Sequence, residues 1–427
     1  MKQPFHRKKY YALTLDPVHV GTGGYRLGRV DNTITREPGT NLPKIPGSSL
    51  NGVTRAYTAM AIQSENYDAP VKQNGEWIID YSKYRNWKYK QPDYDFMLNG
   101  NNIKYSGDGK AIIKPNTEGP MIKKNNNKDI YLSCAGKGAD DGEGHCGQPD
   151  CPVCVAFGFS KGKSGSSFQG LAQFFDGRIL FFPIHSMVGP VWVTSPSVLE
   201  NAGIQPSDKN EVKDWLQLNK QLSQIKDGKK DSKRKEYFHT TSSQVNDHLN
   251  FGWIHLPKKD IKIEEKDIPN SENWLGEGRD NTQPKRLTDL GISSRILERL
   301  VIVSDSLFPR IVNDNLEVRT SVAIDPATGA AEEGALFTYE AIPRAAVIWF
   351  EIVYNKPEYF HIKVPTSDGT DFIDKEIKHG KENGNGWTWI LDNVGKGLSL
   401  IEHLGIGGMN TRGMGRVRIL NKENTEQ

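Results

Sequence analysis

Four cysteines in one short, glycine-rich stretch are the strongest chemical signal in the sequence. They are the only cysteines of the chain, they lie within 21 residues, and the last two form a Cys-x-x-Cys turn. Zinc takes four soft or borderline ligands in a tetrahedron, and such a turn supplies two of them at once. Two disulfides or unrelated buried thiols are the alternative, which a cytosolic chain disfavours. The pattern predicts a structural zinc site with Cys134, Cys146, Cys151 and Cys154 as ligands, and with His145 as an alternative to Cys134.

A predicted helix start within residues 45–55 has the chemistry to bind phosphate. Ser48 or Ser49 is suited to cap the helix, and the first backbone amides of a helix are a ready anion site. The basic side chains of Lys44 and Arg55 bracket the same backbone. An ordinary capped helix explains the same residues, so this segment alone leaves the choice open.

A glycine- and arginine-rich segment near the C-terminus is a second candidate for phosphate binding. Residues 405–415 contain five glycines, and Arg412 and Arg416 lie within or beside them. Glycine lets a polyanion approach the backbone closely, and arginine can grip a phosphate with two parallel hydrogen bonds. A flexible loop between a helix and the last strand is the alternative.

Apolar periodicity predicts the elements that must position these segments. Helices are expected at about 48–64 and 389–404, and a protruding β-hairpin at about 317–340. Strands are expected at about 10–20, 173–175, 178–184, 191–193, 299–304 and 415–420, with a central strand at 345–354. This order predicts an α+β fold, with an RRM- or ferredoxin-like split βαβ core and long insertions.

The domain organisation follows from two long polar stretches. The core is expected to comprise residues 1–65, 155–205 and 291–427. A first insertion, 66–154, has little expected regular structure and ends in the zinc loop, and a second, 206–290, is polar and partly basic.

Charge and hydropathy exclude several classes of protein. Lys and Arg total 55 against 52 Asp and Glu, so the net charge of the 427-residue chain is only +3, and the chain is not an acidic tail protein. The longest apolar run, Ala345 to Phe350, is far below the roughly 20 residues of a membrane span. We therefore expect a cytoplasmic protein without a membrane partner.

These segments together resemble the RAMP superfamily of CRISPR proteins, of the Cas-seven type. Its two signatures are similar to the helix start at 45–55 and to the glycine segment 407–415. Two further stretches, 182–196 and 303–337, resemble the type III-B (Cmr complex) backbone subunit in particular.

The resemblance implies a backbone subunit of a type III effector that binds guide RNA, target RNA, copies of itself in a filament and other effector subunits. The hairpin at about 317–340 would be the thumb that kinks the guide–target duplex. Target RNA would be cleaved at regular intervals with Mg²⁺ or Mn²⁺, and the catalytic aspartate of the family falls on Asp31. The residues implied to contact RNA are Lys44, Ser48, Ser49, Asn51, Arg55, Arg319, Thr320, Gly407, Gly408, Arg412 and Gly413.

Two other functions stay open. A guide-binding scaffold would keep the groove and the thumb while another subunit cleaves the target. A metal-independent guide-processing nuclease would need a histidine-based acid–base set, and no such arrangement is visible among the ten histidines.

Overall fold

The structure is a computed structural model of the chain. It describes residues 4–23, 30–66, 71–73, 76–80, 96–98, 101–102, 104–106, 110–113, 122–124, 134, 145, 147, 149, 151–160, 167–204, 215–224, 235–240, 245, 247–259, 275–276, 285–365, 371–377 and 386–421.

The described residues form a few helices, a few long strands and many short ones. The helices are α1 (Gly47–Asn66), α2 (Pro152–Phe157), α3 (Pro196–Asn201), α4 (Trp215–Leu222), α5 (Ser294–Leu297), α6 (Phe308–Asp314) and α7 (Gly386–Leu404). The strands are β1 (Phe5–Thr14), β2 (Lys44–Ile45), β3 (Val71–Gln73), β4 (Glu76–Asp80), β5 (Phe96–Leu98), β6 (Asn101–Asn102), β7 (Lys104–Ser106), β8 (Lys110–Ile113), β9 (Ile122–Lys124), β10 (Gly158–Phe159), β11 (Phe168–Gln169), β12 (Ala172–Phe174), β13 (Gly177–Ser186), β14 (Gly189–Thr194), β15 (Ser223–Gln224), β16 (Lys235–Glu236), β17 (Phe238–His239), β18 (His248–Phe251), β19 (Ile254–Pro257), β20 (Leu275–Gly276), β21 (Lys285–Arg286), β22 (Leu300–Val303), β23 (Glu317–Ile324), β24 (Ala331–Ala341), β25 (Val347–Asn355), β26 (His361–Pro365), β27 (Phe372–Glu376) and β28 (Val417–Ile419).

The main sheet is mixed and has the order β17-β22-β14-β13-β25-β1-β28, with β12 also paired to β25 and β2 to β13. β13 runs antiparallel to β25, and β14 runs parallel to β22. In β25 the residues Val347 to Phe350 are buried in succession, as expected of a strand covered on both faces. The predicted central strand is confirmed, and the mixed sheet with helices agrees with an α+β fold.

β1 differs from the strand expected at 10–20. It begins at Phe5 and ends at Thr14, and Tyr10, Tyr11 and Ala12 are all buried. A strand covered on both faces lacks the alternation on which the expected bounds depended. Beyond Thr14 the backbone forms isolated β-bridges rather than a continuous strand, such as the bridge between Val18 and Ile342.

Helix α1 begins at Gly47, so Ser48 and Ser49 lie in its first turn and do not cap it. Its buried residues are Leu50, Thr54, Thr58, Ala59 and Ile62, and all but Ala59 recur at four-residue spacing. The apolar residues Leu50, Val53, Tyr57 and Met60, at three- and four-residue spacing in the sequence, predict a buried face that includes Met60, but Met60 is 43% exposed. The difference arises because two threonines, read as polar in the sequence, lie on the buried face.

Residues 66–130 carry more regular structure than expected. The short strands β3, β4, β8 and β7 form one small antiparallel sheet, and β6, β5 and β9 form another. No helix among the described residues is long and apolar enough to cross a bilayer.

The chain divides into two compact units. The first comprises Met1–His6, Asn51–Gln173 and Val353–Leu400, and it contains α2, the hairpin of β26 and β27, and most of α1 and α7. The second comprises Arg7–Leu50, Phe174–Ile352 and Ile401–Gln427, and it contains most of the main sheet and the hairpin of β23 and β24. That hairpin spans Glu317 to Ala341, as predicted.

Candidate functional site

Asp31 is held against strand β24 by one threonine. Its Oδ2 accepts hydrogen bonds from the backbone N–H and from the hydroxyl of Thr338, both at 2.8 Å. The backbone N–H of Asp31 donates in turn to the Thr338 hydroxyl oxygen at 2.9 Å. The next residue, Asn32, exchanges backbone hydrogen bonds with Thr338 and Glu340 at 3.0 Å. The Asp31 loop is therefore clamped onto the hairpin by both backbone and side chain.

The clamp determines the charge of Asp31. The backbone N–H and then the hydroxyl of Thr338 lower the pKa of this carboxyl below its ordinary value, against a smaller opposing effect of burial. Asp31 is therefore ionised at neutral pH. A carboxylate of low pKa is a weak general base but a good partner for a cation or a hydroxyl group.

A buried glutamate supports the same loop from the other side. Glu340 pairs with Arg36 at 2.6 Å and accepts the backbone N–H of Ile34 at 3.2 Å. The Nδ1 atom of His19 lies 2.6 Å from the Glu340 carbonyl oxygen, and the His19 ring meets Tyr339 edge to face. These residues were missed in the sequence, where Glu340 was one more residue of the returning strand and the histidines formed no recognisable arrangement.

The glycine segment contacts the base of the hairpin. Arg412 donates to the Ser321 hydroxyl at 3.1 Å, and Arg319 donates to the Gly413 carbonyl at 3.2 Å. Thr320 lies opposite Thr338, the residue that holds Asp31. The glycine segment therefore contacts strand β23 of the hairpin, while Asp31 contacts strand β24.

Gly407 and Gly408 pack against the chain at His19. The backbone N–H of Gly408 donates to the His19 carbonyl oxygen at 2.9 Å. Gly407 has a φ of +84°, and any side chain there would collide with the same carbonyl. Close backbone packing therefore accounts for Gly407 without a ligand.

The start of helix α1 already holds an anion. The Asp176 carboxylate accepts the backbone N–H of Gly47 at 2.8 Å and pairs with Lys44 at 2.6 Å. Burial acts to raise the pKa of Asp176, but the hydrogen bonds from Lys44 and Gly47 prevail and lower it. Where the sequence predicted a bound phosphate, the structure places a protein carboxylate. Ser48 is exposed, and Ser49 and Asn51 are half-buried.

Three of the four cysteines converge in the other compact unit. The sulfurs of Cys134, Cys151 and Cys154 all lie within 4.8 Å of one another, and all three residues are buried thiols. Cys151 is the N-cap of α2, and its sulfur accepts the backbone N–H of Cys154 at 3.4 Å. Buried, converging sulfurs are a suitable donor set for a soft or borderline metal ion. Cys146 lies outside the described residues.

Arg55 lies at this cysteine centre, which we define as Cys134, Cys151 and Cys154. Its guanidinium donates to the carbonyl oxygens of Cys134 at 2.9 Å and Gly158 at 2.8 Å, and it lies 2.9 Å from Nδ1 of His145. Burial lowers the pKa of Arg55, while the three cysteines act in the opposite direction. His145 is buried but is not part of the cluster of converging ligand atoms.

Comparison with known proteins gives one family and several similar structures. The sequence model of a family described as the RAMP superfamily matches residues 11–418. No curated protein matches the chain. The cryo-EM structure of a type III-B Cmr-beta complex bound to cognate target RNA contains a similar chain, at 13% identity, 98% coverage of each chain and a TM-score of 0.48. A crystal structure of oligomeric Cmr4 from Pyrococcus furiosus is similar at 17% identity, 98% and 100% coverage and a TM-score of 0.42.

Proposed function

Because the chain belongs to the RAMP superfamily, we propose that it is the backbone subunit of a type III CRISPR effector, most similar to that of type III-B. It binds guide RNA and cleaves complementary target RNA at regular intervals with Asp31. The observation that carries this proposal is the clamp of Asp31 by Thr338, on the hairpin strand whose partner is tied to the glycine segment. A carboxylate and an arginine-bearing loop are thereby both bound to the same hairpin.

The order of the main sheet supports an RRM-like core. Strands β13, β25, β1 and β28 are consecutive neighbours in the sheet. In the chain, α1 lies between β1 and β13, and α7 lies between β25 and β28. This is the arrangement of two βαβ halves that interleave in a split βαβ fold. We propose the insertions at 66–154 and 206–290 as additions to this core.

The hairpin of β23 and β24 has the surface expected of a thumb. Val322, Ile324 and Leu336 are exposed by 43%, 55% and 62%. Exposed apolar side chains on a projecting hairpin are suited to wedge between stacked bases, as apolar wedges do when they kink a duplex. Their exposure supports a hairpin that contacts bases.

The chemistry assigned to Asp31 follows from its low pKa. As a carboxylate it is better suited to orient the attacking 2′-hydroxyl or to hold a cation than to remove a proton at neutral pH. Mg²⁺ or Mn²⁺ would supply charge neutralisation at the scissile phosphate. The proposed RNA contacts are Lys44, Ser48, Ser49, Asn51, Arg319, Thr320, Gly407, Gly408, Arg412 and Gly413.

We propose zinc as a structural ion at the cysteine centre. The three described sulfurs fit zinc by donor type and burial, and Cys146 is the proposed fourth ligand. Four protein ligands leave no open position for a catalytic water, so the metal would stabilise the loop rather than cleave RNA. The other proposed partners are copies of the chain and further type III subunits, in the cytoplasm.

The test is cleavage of a complementary RNA by the reconstituted complex, with Mg²⁺ or Mn²⁺, comparing wild type with Asp31→Ala. We expect regularly spaced cuts to disappear while target binding persists. Asp314→Ala is the matched control, because Asp314 is an exposed aspartate on α6. Cuts that survive Asp31→Ala would exclude Asp31 as the catalytic residue.

A guide-binding scaffold without its own nuclease is the second candidate, and one observation favours it. Asp31 already makes three hydrogen bonds with Thr338 that hold its loop in place, which is a structural role. Under this alternative, Asp31→Ala loosens the loop and weakens RNA binding, and another subunit continues to cut the target.

A further inference from the structure

One guanidinium joins three separate segments around the cysteine centre. Arg55 reaches from α1 to the carbonyl of Cys134, to the imidazole of His145, and to the carbonyl of Gly158. Gly158 directly follows α2, whose first turn carries Cys151 and Cys154. Arg55 therefore contacts both parts of the chain that carry the cysteine sulfurs, at Cys134 and at the end of α2.

We propose that Arg55 is the positioning residue of the cysteine metal centre, rather than an RNA-binding residue. It ties Cys134 to the end of α2, a helix of six residues that has Cys151 and Cys154 at its start, so that the sulfurs converge. Residues that orient metal ligands through hydrogen bonds strongly affect metal affinity. The proposal rests on the zinc site of the proposed function and concerns how that site is built.

The charge of Arg55 supports the same role. Arg55 is half-buried, and its three described hydrogen-bond acceptors are two backbone carbonyl oxygens and an imidazole nitrogen, with no carboxylate among them. A buried cation is costly unless an opposite charge lies nearby. Zn²⁺ bound by the thiolates of Cys134, Cys151 and Cys154 would form a centre of net negative charge, which would compensate the charge of Arg55.

Lysine cannot replace arginine in this arrangement. The guanidinium is planar and carries five N–H donors in a fixed fork, so it can hold three acceptors in different directions at once. The lysine ammonium is a compact point charge on a flexible stem. We therefore expect Arg55→Lys to retain the charge but to lose the geometry.

The same contact decides between the two candidate ligands left open by the sequence. Arginine has no acceptor atom, so Nδ1 of His145 must accept the hydrogen bond from Arg55. In the neutral ring the proton is then on Nε2, and neither nitrogen has a lone pair for a metal ion. Cys134, whose sulfur is part of the cluster, is the ligand, and His145 is a hydrogen-bond partner of Arg55.

The experiment uses the purified full-length chain in four forms: wild type, Arg55→Gln, Arg55→Lys and Arg310→Gln. Arg310 is the matched control, because it is 71% exposed and pairs only along its own helix with Asp314 among the described residues. Zinc content is measured by mass spectrometry of the metal, and zinc release is measured by transfer to a chromogenic chelator. Co²⁺ replaces zinc for absorption spectroscopy, which reports the number and geometry of sulfur ligands.

We expect Arg55→Gln to weaken zinc binding by about 10- to 100-fold, the usual effect of losing an outer-sphere partner. Arg55→Lys should recover little of that loss, and both variants should shift the Co²⁺ spectrum while Arg310→Gln matches wild type. If Arg55→Gln does not fold, the Co²⁺ spectrum and zinc release of Arg55→Lys decide the matter. Wild-type zinc release and an unchanged Co²⁺ spectrum in the Arg55 variants would overturn the proposal.

The zinc content of the wild-type protein distinguishes a failure of the proposed role of Arg55 from a failure of the zinc site. Wild-type protein that holds neither Zn²⁺ nor Co²⁺ would overturn the zinc site and the role of Arg55 with it. RNA cleavage is measured separately, so it can succeed or fail independently of the metal result.

Discussion

At the cysteine centre, three sulfurs converge inside the protein from residues that are near neighbours in the chain. At Asp31, a half-buried carboxylate is held by a threonine 307 residues further along. The first is assembled by local spacing and positioned by the half-buried Arg55. The second exists only when the N-terminal loop that carries Asp31 meets the hairpin. A local cluster can be identified from the sequence, whereas a site that depends on the tertiary fold cannot.

Replacing a sulfur should have the largest effect, because it removes a ligand of the buried centre. In Cys154→Ser we expect zinc affinity to fall by more than about 100-fold, beyond the loss of an outer-sphere residue. Zinc per chain, measured after dialysis against a chelator, gives the result. RNA cleavage by complexes that assemble should keep its spacing, since the metal is structural.

His145→Ala is the control for that substitution. We expect its Co²⁺ spectrum to match the wild type in the number of sulfur ligands, because the imidazole bonds to Arg55 and not to the metal. A spectrum that changes as much as that of Cys134→Ser would place His145 among the ligands.

Removing only the charge of Asp31 should have the next largest effect. Asp31→Asn retains an oxygen that can accept from Thr338, so the loop should stay in place. We expect the single-turnover cleavage rate to fall by about 100-fold or more, the lower range for loss of a catalytic acid–base group. The dissociation constant for target RNA should stay within a few-fold of wild type. A rate equal to wild type with intact binding would favour the scaffold.

The helix that carries Arg55 offers a test of packing. Gly397 of α7 meets the Thr54 carbonyl and the Thr58 hydroxyl of α1 so closely that a methyl group would collide with both. We expect Gly397→Ala to lower the free energy of unfolding by about 1–3 kcal/mol, as overpacking does. Thermal and urea unfolding followed by circular dichroism would measure it.

Gly395 is the matched control, two residues earlier in the same helix. A side chain there meets no described atom within 4 Å. Gly395→Ala should therefore stabilise the helix by about 1 kcal/mol. A stabilisation of equal size in Gly395→Ala and Gly397→Ala would contradict the close approach of α1 and α7.

The smallest effect is expected from the hydroxyl of Thr338. Thr338→Val leaves the hydrogen bond from the backbone N–H of residue 338 to Asp31 and removes both hydrogen bonds of the hydroxyl, so the pKa of Asp31 should rise toward its ordinary value. A carboxyl with a lowered pKa adds stability above its unfolded pKa, and this stability is lost as the pH falls through its folded pKa. In the variant, the acid limb of the cleavage pH profile should therefore move to higher pH, with the rate at neutral pH unchanged. An acid limb identical to wild type would show that ionisation of Asp31 does not limit cleavage.

The features that could be predicted from the sequence are those that depend on contacts between residues close together in the chain. The cysteine loop, the hairpin from Glu317 and the central strand β25 could be predicted because each is signalled by neighbouring residues. The clamp by Thr338 could not, since nothing near Asp31 in the sequence indicates its partner. The role of Arg55 could not be predicted either, because the sequence around a basic helix residue is the same whether that residue binds a phosphate or a carbonyl oxygen.

The ion pair of Lys44 and Asp176 has a consequence for how RNA binding would respond to salt. A lysine or arginine that stays paired with a protein carboxylate does not neutralise an RNA phosphate. Each such pair therefore releases no counterion from the RNA, and affinity depends less steeply on salt. Arg36 with Glu340 and Arg416 with Asp16 follow the same pattern. The salt dependence of RNA binding should therefore be shallower than the 55 lysines and arginines suggest.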